Sequence, residues 1–335
     1  DTKPGLNVGP NQADKPTLYV DGVKVDAVYD PASGTLTPVN PLSPGKHDLS
    51  YSLTDAAGNE GAKSDPLSVT VDTTGPSNVS VVFDAVTADN VLNAAEAAGT
   101  VNVTGKVTGE FTTGDVVSAV VNGKTYTAAV KADGTFTMAV AGTDLAADAD
   151  KSLDASFVAH DAAGNAATFT ASKAYTVDTV APNKPATPTS YGDDVGDIKN
   201  ANSIAATTDD TKPGLNVGPN QADKPTLYVD GVKVDAVYDP ASGTLTPVNP
   251  LSPGKHDLSY SLTDAAGNEG AKSDPLSVTV DTTGPSNVSV VFDAVTADNV
   301  LNAAEAAGTV NVTGKVTGEF TTGDVVSAVV NGKTY

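Results

Sequence analysis

Val117-Ser118-Ala119-Val120-Val121-Asn122-Gly123-Lys124-Thr125-Tyr126-Thr127 is the stretch that decides the fold. Val117, Ala119 and Val121 before the central pair, and Thr125 and Thr127 after it, recur every second residue, the period of a half-buried β-strand. Asn122-Gly123 between them is a preferred two-residue hairpin turn, because both central positions need positive φ. The same pattern surrounds Asp21-Gly22, flanked by Leu18, Val20, Val23, Val25 and Val28, and a third hairpin is expected around Asp133-Gly134. Helical periodicity is weak throughout, and only Asn93–Ala98 predicts a short turn of helix.

Working outward, the chain repeats itself. Residues 1–126 recur unchanged at 210–335, a shift of 209. Inside that unit is a weaker echo: Val71-Asp72-Thr73-Thr74-Gly75-Pro76 resembles Val177-Asp178-Thr179-Val180-Ala181-Pro182, and both match the segment beginning at Val280. The motif's aspartates are 106 and 103 residues apart, and Asp-Ala-Ala-Gly-Asn stands upstream of each, at 55–59, 161–165 and 264–268. With these motifs as boundaries, 1–72 is the C-terminal part of a type A domain, 73–178 a whole type B, 179–281 a whole A, and 282–335 the N-terminal part of a B. About seven strands in roughly 105 residues predict an all-β fold: tandem immunoglobulin-like β-sandwich domains in a linear rod. A sandwich cut in half exposes core and strand edges, so the partial domains suggest a window from a longer array.

Composition narrows the function. Of 335 residues 41 are acidic and 19 basic. Only six are glutamates, so 35 are aspartates, and every basic residue is lysine. So acidic a chain excludes a nucleic-acid binder, which needs Lys/Arg clusters on one face. No apolar run approaches the length of a membrane span, and no signal peptide opens the sequence. The absence of cysteine excludes disulfides and thiolate metal sites. Aspartate forms turns and is a hard oxygen ligand suited to calcium.

The Asp-Ala-Ala-Gly-Asn turn, the closing Val-Asp-Thr-Thr-Gly-Pro and Ala88-Asp89-Asn90-Val91-Leu92-Asn93-Ala94-Ala95-Glu96-Ala97 resemble the bacterial Ig-like repeats of giant, type I-secreted, calcium-dependent adhesins of the RTX and biofilm-associated class. Gly192-Asp193-Asp194-Val195-Gly196, followed by Thr208-Asp209-Asp210-Thr211, resembles a second flavour of the module. The likeness covers essentially the whole chain; Gly75 and Gly284 depart from the commoner Val-Asp-Thr-Thr-Ala-Pro. It implies an extracellular location on a bacterial surface and Ca2+ as the cofactor.

In such a sandwich the chain enters at one end and leaves at the other, so the loop after the first strand, the closing aspartate and the next domain's last hairpin turn should converge on each junction. Between B and A the cluster is Asp84, Asp89, Asn90, Asn93, Glu96, Asp178, Asp264 and Asn268. Between A and B it is Asp193, Asp194, Asp197, Asp209, Asp210 and Asp281. At the first A-to-B junction it is Asp1, Asp72, Asp161 and Asn165, and the second B copy repeats Asp293, Asp298, Asn299, Asn302 and Glu305. Calcium takes six to eight oxygens from such groups, and no arginine is present to neutralise them. The alternative is that each Asp-Ala-Ala-Gly-Asn is only a tight turn whose aspartate caps backbone amides, and that Asp21, Asp133 and Asp230 only form turns.

Catalysis finds little support. His47, His160 and His256 each precede an aspartate at the end of an expected strand, where packing or surface roles suffice, and no G-x-S-x-G, H-E-x-x-H or phosphate loop occurs. The leading expectation is therefore a non-enzymatic, calcium-rigidified extender that projects a distal adhesive domain for surface adhesion and biofilm formation. Its partners are the neighbouring repeats, with no small-molecule substrate. The alternatives are a calcium-dependent module binding glycan, ice or a partner, and a subunit of a surface filament.

Overall fold

The computed structural model describes residues 1–196 and 198–335, which divide into two compact units. The first takes in Asp1–Ala181 with Ala266–Asn268, the second Pro182–Ala265 with Glu269–Tyr335. Each is built mainly from antiparallel strand pairs.

Within the first unit, one sandwich faces a three-stranded sheet (Thr135–Ala141, Thr100–Thr108, Ser80–Phe83) against a four-stranded one (Lys124–Ala129, Val116–Val121, Ser152–His160, Ala166–Ala174). Alternation fixes which residues face inward. Val101, Val103 and Val107 meet Val117, Ala119, Val121, Met138, Val140, Leu153 and Phe157 in one core. Phe83 and Phe136 pack edge to face, 5.4 Å between centroids, and the Phe136 ring lies over Gly105. A Cβ at Gly105 would come within 2.4 Å of that ring and 2.5 Å of the Val82 carbonyl, so only glycine fits.

Asn122 and Gly123 both have positive φ, and Val121 pairs with Lys124 across the turn. The turn at Asp133-Gly134 departs from the expectation. It joins Lys124–Ala129 in one sheet to Thr135–Ala141 in the other, so it is a crossover between layers and not a hairpin. Local turn chemistry is the same in both cases; which sheet the next strand joins is decided by long-range burial.

Helix Ala94–Ala97 starts at Asn93 with a full capping box to Glu96. A second helix, Gly142–Ala147, was not anticipated. It has no side-chain N-cap, and tertiary contacts fix it. Leu145 is buried in the core, and the buried Asp144 carboxylate accepts from Lys124 Nζ at 2.8 and 2.9 Å, from Tyr126 OH and from Asn122 Nδ2.

The other sandwich of the first unit pairs the sheet Leu6–Asn7, Thr35–Pro38, Ala27–Asp30 with Val23–Val25, Lys15–Val20, Gly45–Thr54, Leu67–Val71 around Leu6, Leu18, Leu36 and Leu49. In the second unit the same sequence from 210 onward gains Tyr191–Asp193, Asn200–Ser203 and Thr207–Thr208, making two five-stranded sheets around Tyr191, Leu215, Leu227, Leu245 and Leu258.

Both complete sandwiches close alike. Thr176–Val177 pairs in parallel with Val91–Leu92, and Thr207–Thr208 with the end of Leu276–Val280.

Residues 282–335 repeat 73–126 and form two strand pairs, Ser289–Phe292 with Gly314–Thr317 and Val329–Val330 with Lys333–Thr334, and the helix Ala303–Ala306. Phe83 is 7% exposed and its twin Phe292 51%; Leu92 is 0% and Leu301 54%. In the first copy that apolar face is covered by strands from residues 127–178, among them Thr135–Ala141 and Ser152–His160.

Candidate metal centre

Two buried aspartates, Asp193 and Asp210, lie inside one sandwich of the second unit. Tyr191 is buried, and its OH donates to the carbonyl of Ala205 (3.0 Å), which draws the following segment against strand Tyr191–Asp193. Asp193 thereby points inward, only 7% exposed. Its Oδ2 accepts from Thr208 Oγ1 at 2.8 Å, while its buried Oδ1 has no hydrogen-bond partner among the described residues. Asp210, 3% exposed, accepts from the Lys212 amide at 2.7 Å, and its own N–H donates to Thr208 Oγ1 at 3.0 Å.

Burial pushes the Asp210 carboxyl above its usual range, and the nearby Asp194 and Asp193 carboxylates push it further; amide donation from Lys212 and Asp194 opposes this only in part. Gly196, at φ +70°, lets Asp209 lie against the loop, since a Cβ there would stand 2.0 Å from Asp209 Oδ2. An orphaned buried carboxylate oxygen beside a second buried carboxyl is costly unless a cation completes it.

Asp281, assigned to the same cluster, joins only through its backbone, donating to the Thr208 carbonyl at 2.8 Å. Its carboxylate is exposed and caps Thr283. Asp197 lies outside the described residues.

The first unit uses its candidates differently. Asp161 Oδ1 accepts from the amides of Ala163 and Asn165, and its Oδ2 from Asn165 Nδ2; the Asn165 amide holds this carboxyl below its usual range. Asn165 Nδ2 also donates to the carbonyl of Asp72 at 3.2 Å. The tip Ala266–Asn268, which groups with this unit, repeats the arrangement: Asn268 Nδ2 donates to the carbonyl of Asp178 at 2.8 Å, and its Oδ1 accepts from the Ala94 amide. In both cases the terminal asparagine of the turn latches onto the backbone of a closing Val-Asp-Thr motif. Asp264, half-buried, begins the second of these turns in the other unit.

The side chains of Asp72 and Asp178 each cap an amide two residues on through Oδ1. Asp1 caps Lys3 in the same way.

In the loop after strand Ser80–Phe83, Asp84 accepts from Thr104 Oγ1, and Asp89 from Thr87 Oγ1 and the Val91 amide, which lowers its pKa. Asn90, at φ 64°, accepts from Val86 and donates to Ala174. Asn93 and Glu96 are taken up in the capping box. Asp84 and Glu96 nevertheless line one cleft of about 530 Å³ with Val86, Thr87, Gly99 and Asn102. Asp293, Asp298, Asn302 and Glu305 repeat these bonds, and Asn299 accepts from the Val295 amide as Asn90 does from Val86.

Among the described residues, no three acidic or histidine side chains stand together in a ready-made metal-holding group. Much of the expected cluster is thus occupied with backbone capping, the turn-forming alternative weighed above. Among the described residues, Asp193, beside Asp210, has the one buried side-chain oxygen without a hydrogen-bond partner.

Sequence reasoning missed other pairs. His47 Nδ1 meets Asp21 Oδ2 at 2.7 Å, while Nε2 meets the Ser43 carbonyl at 2.8 Å; His256, Asp230 and Ser252 repeat this. Asp21 and Asp230 therefore do more than form turns. Asp115, buried, holds both the amide and Nδ1 of His160. Thr208 was visible beside Asp209-Asp210, but nothing local showed that it would reach Asp193, 15 positions earlier.

The profile of the bacterial Ig-like domain family matches residues 1–73 and 182–282. The chain belongs to the bacterial Ig-like domain family. Among solved structures, a Ca2+-stabilised adhesin with which an Antarctic bacterium reaches out and binds ice is 32% identical, with 98% of this chain and 79% of that one covered and a TM-score of 0.41. A bacterial immunoglobulin-like domain from the M. primoryensis ice-binding adhesin is 48% identical over 29% of this chain and 95% of its own, at TM-score 0.28. A bacterial ice-binding adhesin studied for host cell surface retention is 26% identical over 79% and 84%, at TM-score 0.44. No curated protein sequence matches. Among the described residues no helix is long and apolar enough to cross a membrane.

Proposed function

We propose that this chain is an extender segment of a large bacterial surface adhesin, a non-enzymatic array of Ig-like domains stiffened by calcium. The observation that carries the calcium reading is the buried, unpaired Oδ1 of Asp193 beside the buried carboxyl of Asp210. Asp193, Asp194, Asp209 and Asp210 would hold the ion with carbonyl and water oxygens, since Ca2+ accepts a mixed, flexible shell of six to eight. Asp84 and Glu96 in the first-unit cleft, and Asp72 and Asp178 beside their asparagine latches, are further candidates.

The domain division at 72, 178 and 281 belongs to the same proposal, with the neighbouring repeats as the partners of each domain and the bacterial exterior, reached by type I secretion, as the location. Binding only the ordered state, the ion stabilises it by mass action, by about 2.7 kcal/mol at one hundred times Kd. Low calcium leaves the carboxylates in mutual repulsion; high calcium orders them.

Thermal melting and small-angle scattering in calcium and in chelator test this. Calcium is expected to raise the melting temperature and reduce flexibility. Identical melting and scattering under both conditions would overturn it.

A further inference from the structure

The sheet of Lys124–Ala129, Val116–Val121, Ser152–His160 and Ala166–Ala174 turns to solvent a face with little charge for so acidic a chain. Its registers align three ranks across four strands. Ala129, Val116, Val158 and Thr168 form one, Thr127, Ser118, Ser156 and Thr170 the next, and Thr125, Val120, Asp154 and Ser172 the third. Val116, Val120 and Val158 are 43%, 50% and 40% exposed. In a chain of net charge −22, these twelve positions carry one charge, Asp154. The five-stranded sheet of the second unit that contains Val232–Val234 and Gly254–Thr263 instead carries Lys233, Lys255 and Asp257, with Glu269 and Lys272 of the following loop adding an ion pair to Lys233 and a lysine over Tyr228.

We propose that this face docks on the same face of a second copy of the chain. Two copies so acidic repel over most of their surface, and this sheet is where they approach with least repulsion. The pairing is self-complementary. Asp154 and His160 both point outward from strand Ser152–His160, six residues or about 20 Å apart. A two-fold axis lying between the faces, crossing that strand at Phe157, sets Asp154 of each copy over His160 of the other and Ser156 over Val158. His160 is pre-oriented, its Nδ1 held by Asp115 at 2.7 Å with the ring 44% exposed.

From strand and residue spacing the face covers about 400 Å² per copy. A standard stable interface needs about 800 Å² per partner, so this contact belongs to the weak, transient class. The inference goes beyond the extender reading, because it needs no calcium and concerns the side of a domain.

Sedimentation of the full chain over a wide concentration range tests it, with Ser156→Lys on the face and Thr137→Lys on the opposite sheet as control. Both sites are exposed, so both variants should fold, and circular dichroism checks that. The parent and Thr137→Lys are expected to associate as concentration rises, and Ser156→Lys to associate about tenfold more weakly or not at all. A parent that stays monomeric throughout, or association that Ser156→Lys leaves unchanged, overturns the proposal. So does a monomeric face that takes up a glycan or ice surface instead. Repeating the series in chelator separates this contact from the calcium reading.

Discussion

Asp210 illustrates how one side chain can oppose its own fold. Burial raises its carboxyl pKa in the folded state, so the fold favours the protonated form; that contribution is full at acid pH and lost as pH rises through the folded value. At neutral pH without a cation it destabilises. Asp210→Asn, which keeps an acceptor for the Lys212 amide, should raise the calcium-free melting temperature by about 4–8 °C, roughly 1 kcal/mol, and reduce the gain from added calcium. Calorimetry in both conditions checks it; a variant that melts lower in chelator would argue against the repulsion. The histidines have the same pH dependence from the opposite cause, because here it is the charged form that the fold favours. Donation to the Asp21 and Asp230 carboxylates raises the His47 and His256 pKa values above 6.5. Their contribution is full below the unfolded value and lost as pH climbs through the raised one. Melting temperature should therefore fall from pH 6 to pH 9 more steeply in the parent than in His47→Gln/His256→Gln, measured in matched buffers.

At the scale of elements, what the sequence displayed was what neighbours in the chain decide. Asn122-Gly123 and Asp21-Gly22 announced their hairpins because positive φ at both central residues is a local demand. Asn93 and Glu96 announced a helix start because the capping box spans three positions. Asp133-Gly134 carried an equal signal yet connects two sheets, and helix Gly142–Ala147 carried almost none, because Asp144 finds its side-chain partners 18 to 22 residues away. The candidate site divides on the same line. The capping roles of Asp89, Asp161 and Asp298 follow from neighbours within four residues, whereas the Asp193–Thr208–Asp210 pocket depends on a long-range strand closure. Gly105 is invisible in sequence for a related reason, since its constraint is a ring on another strand. Gly105→Ala should cost about 1–3 kcal/mol through overpacking against Phe136, shown by a lower denaturant midpoint at unchanged slope.

Across the whole molecule, each complete sandwich is closed by a pair of parallel strands. The parallel closing strands carry a mechanical consequence. Asp178 N–H is tied to the Leu92 carbonyl and Thr176 N–H to that of Asn90, across strands that run the same way. Tension applied along the chain loads these bonds together, in shear, instead of peeling them one by one, so the domain's last strand also acts as its clamp against pulling.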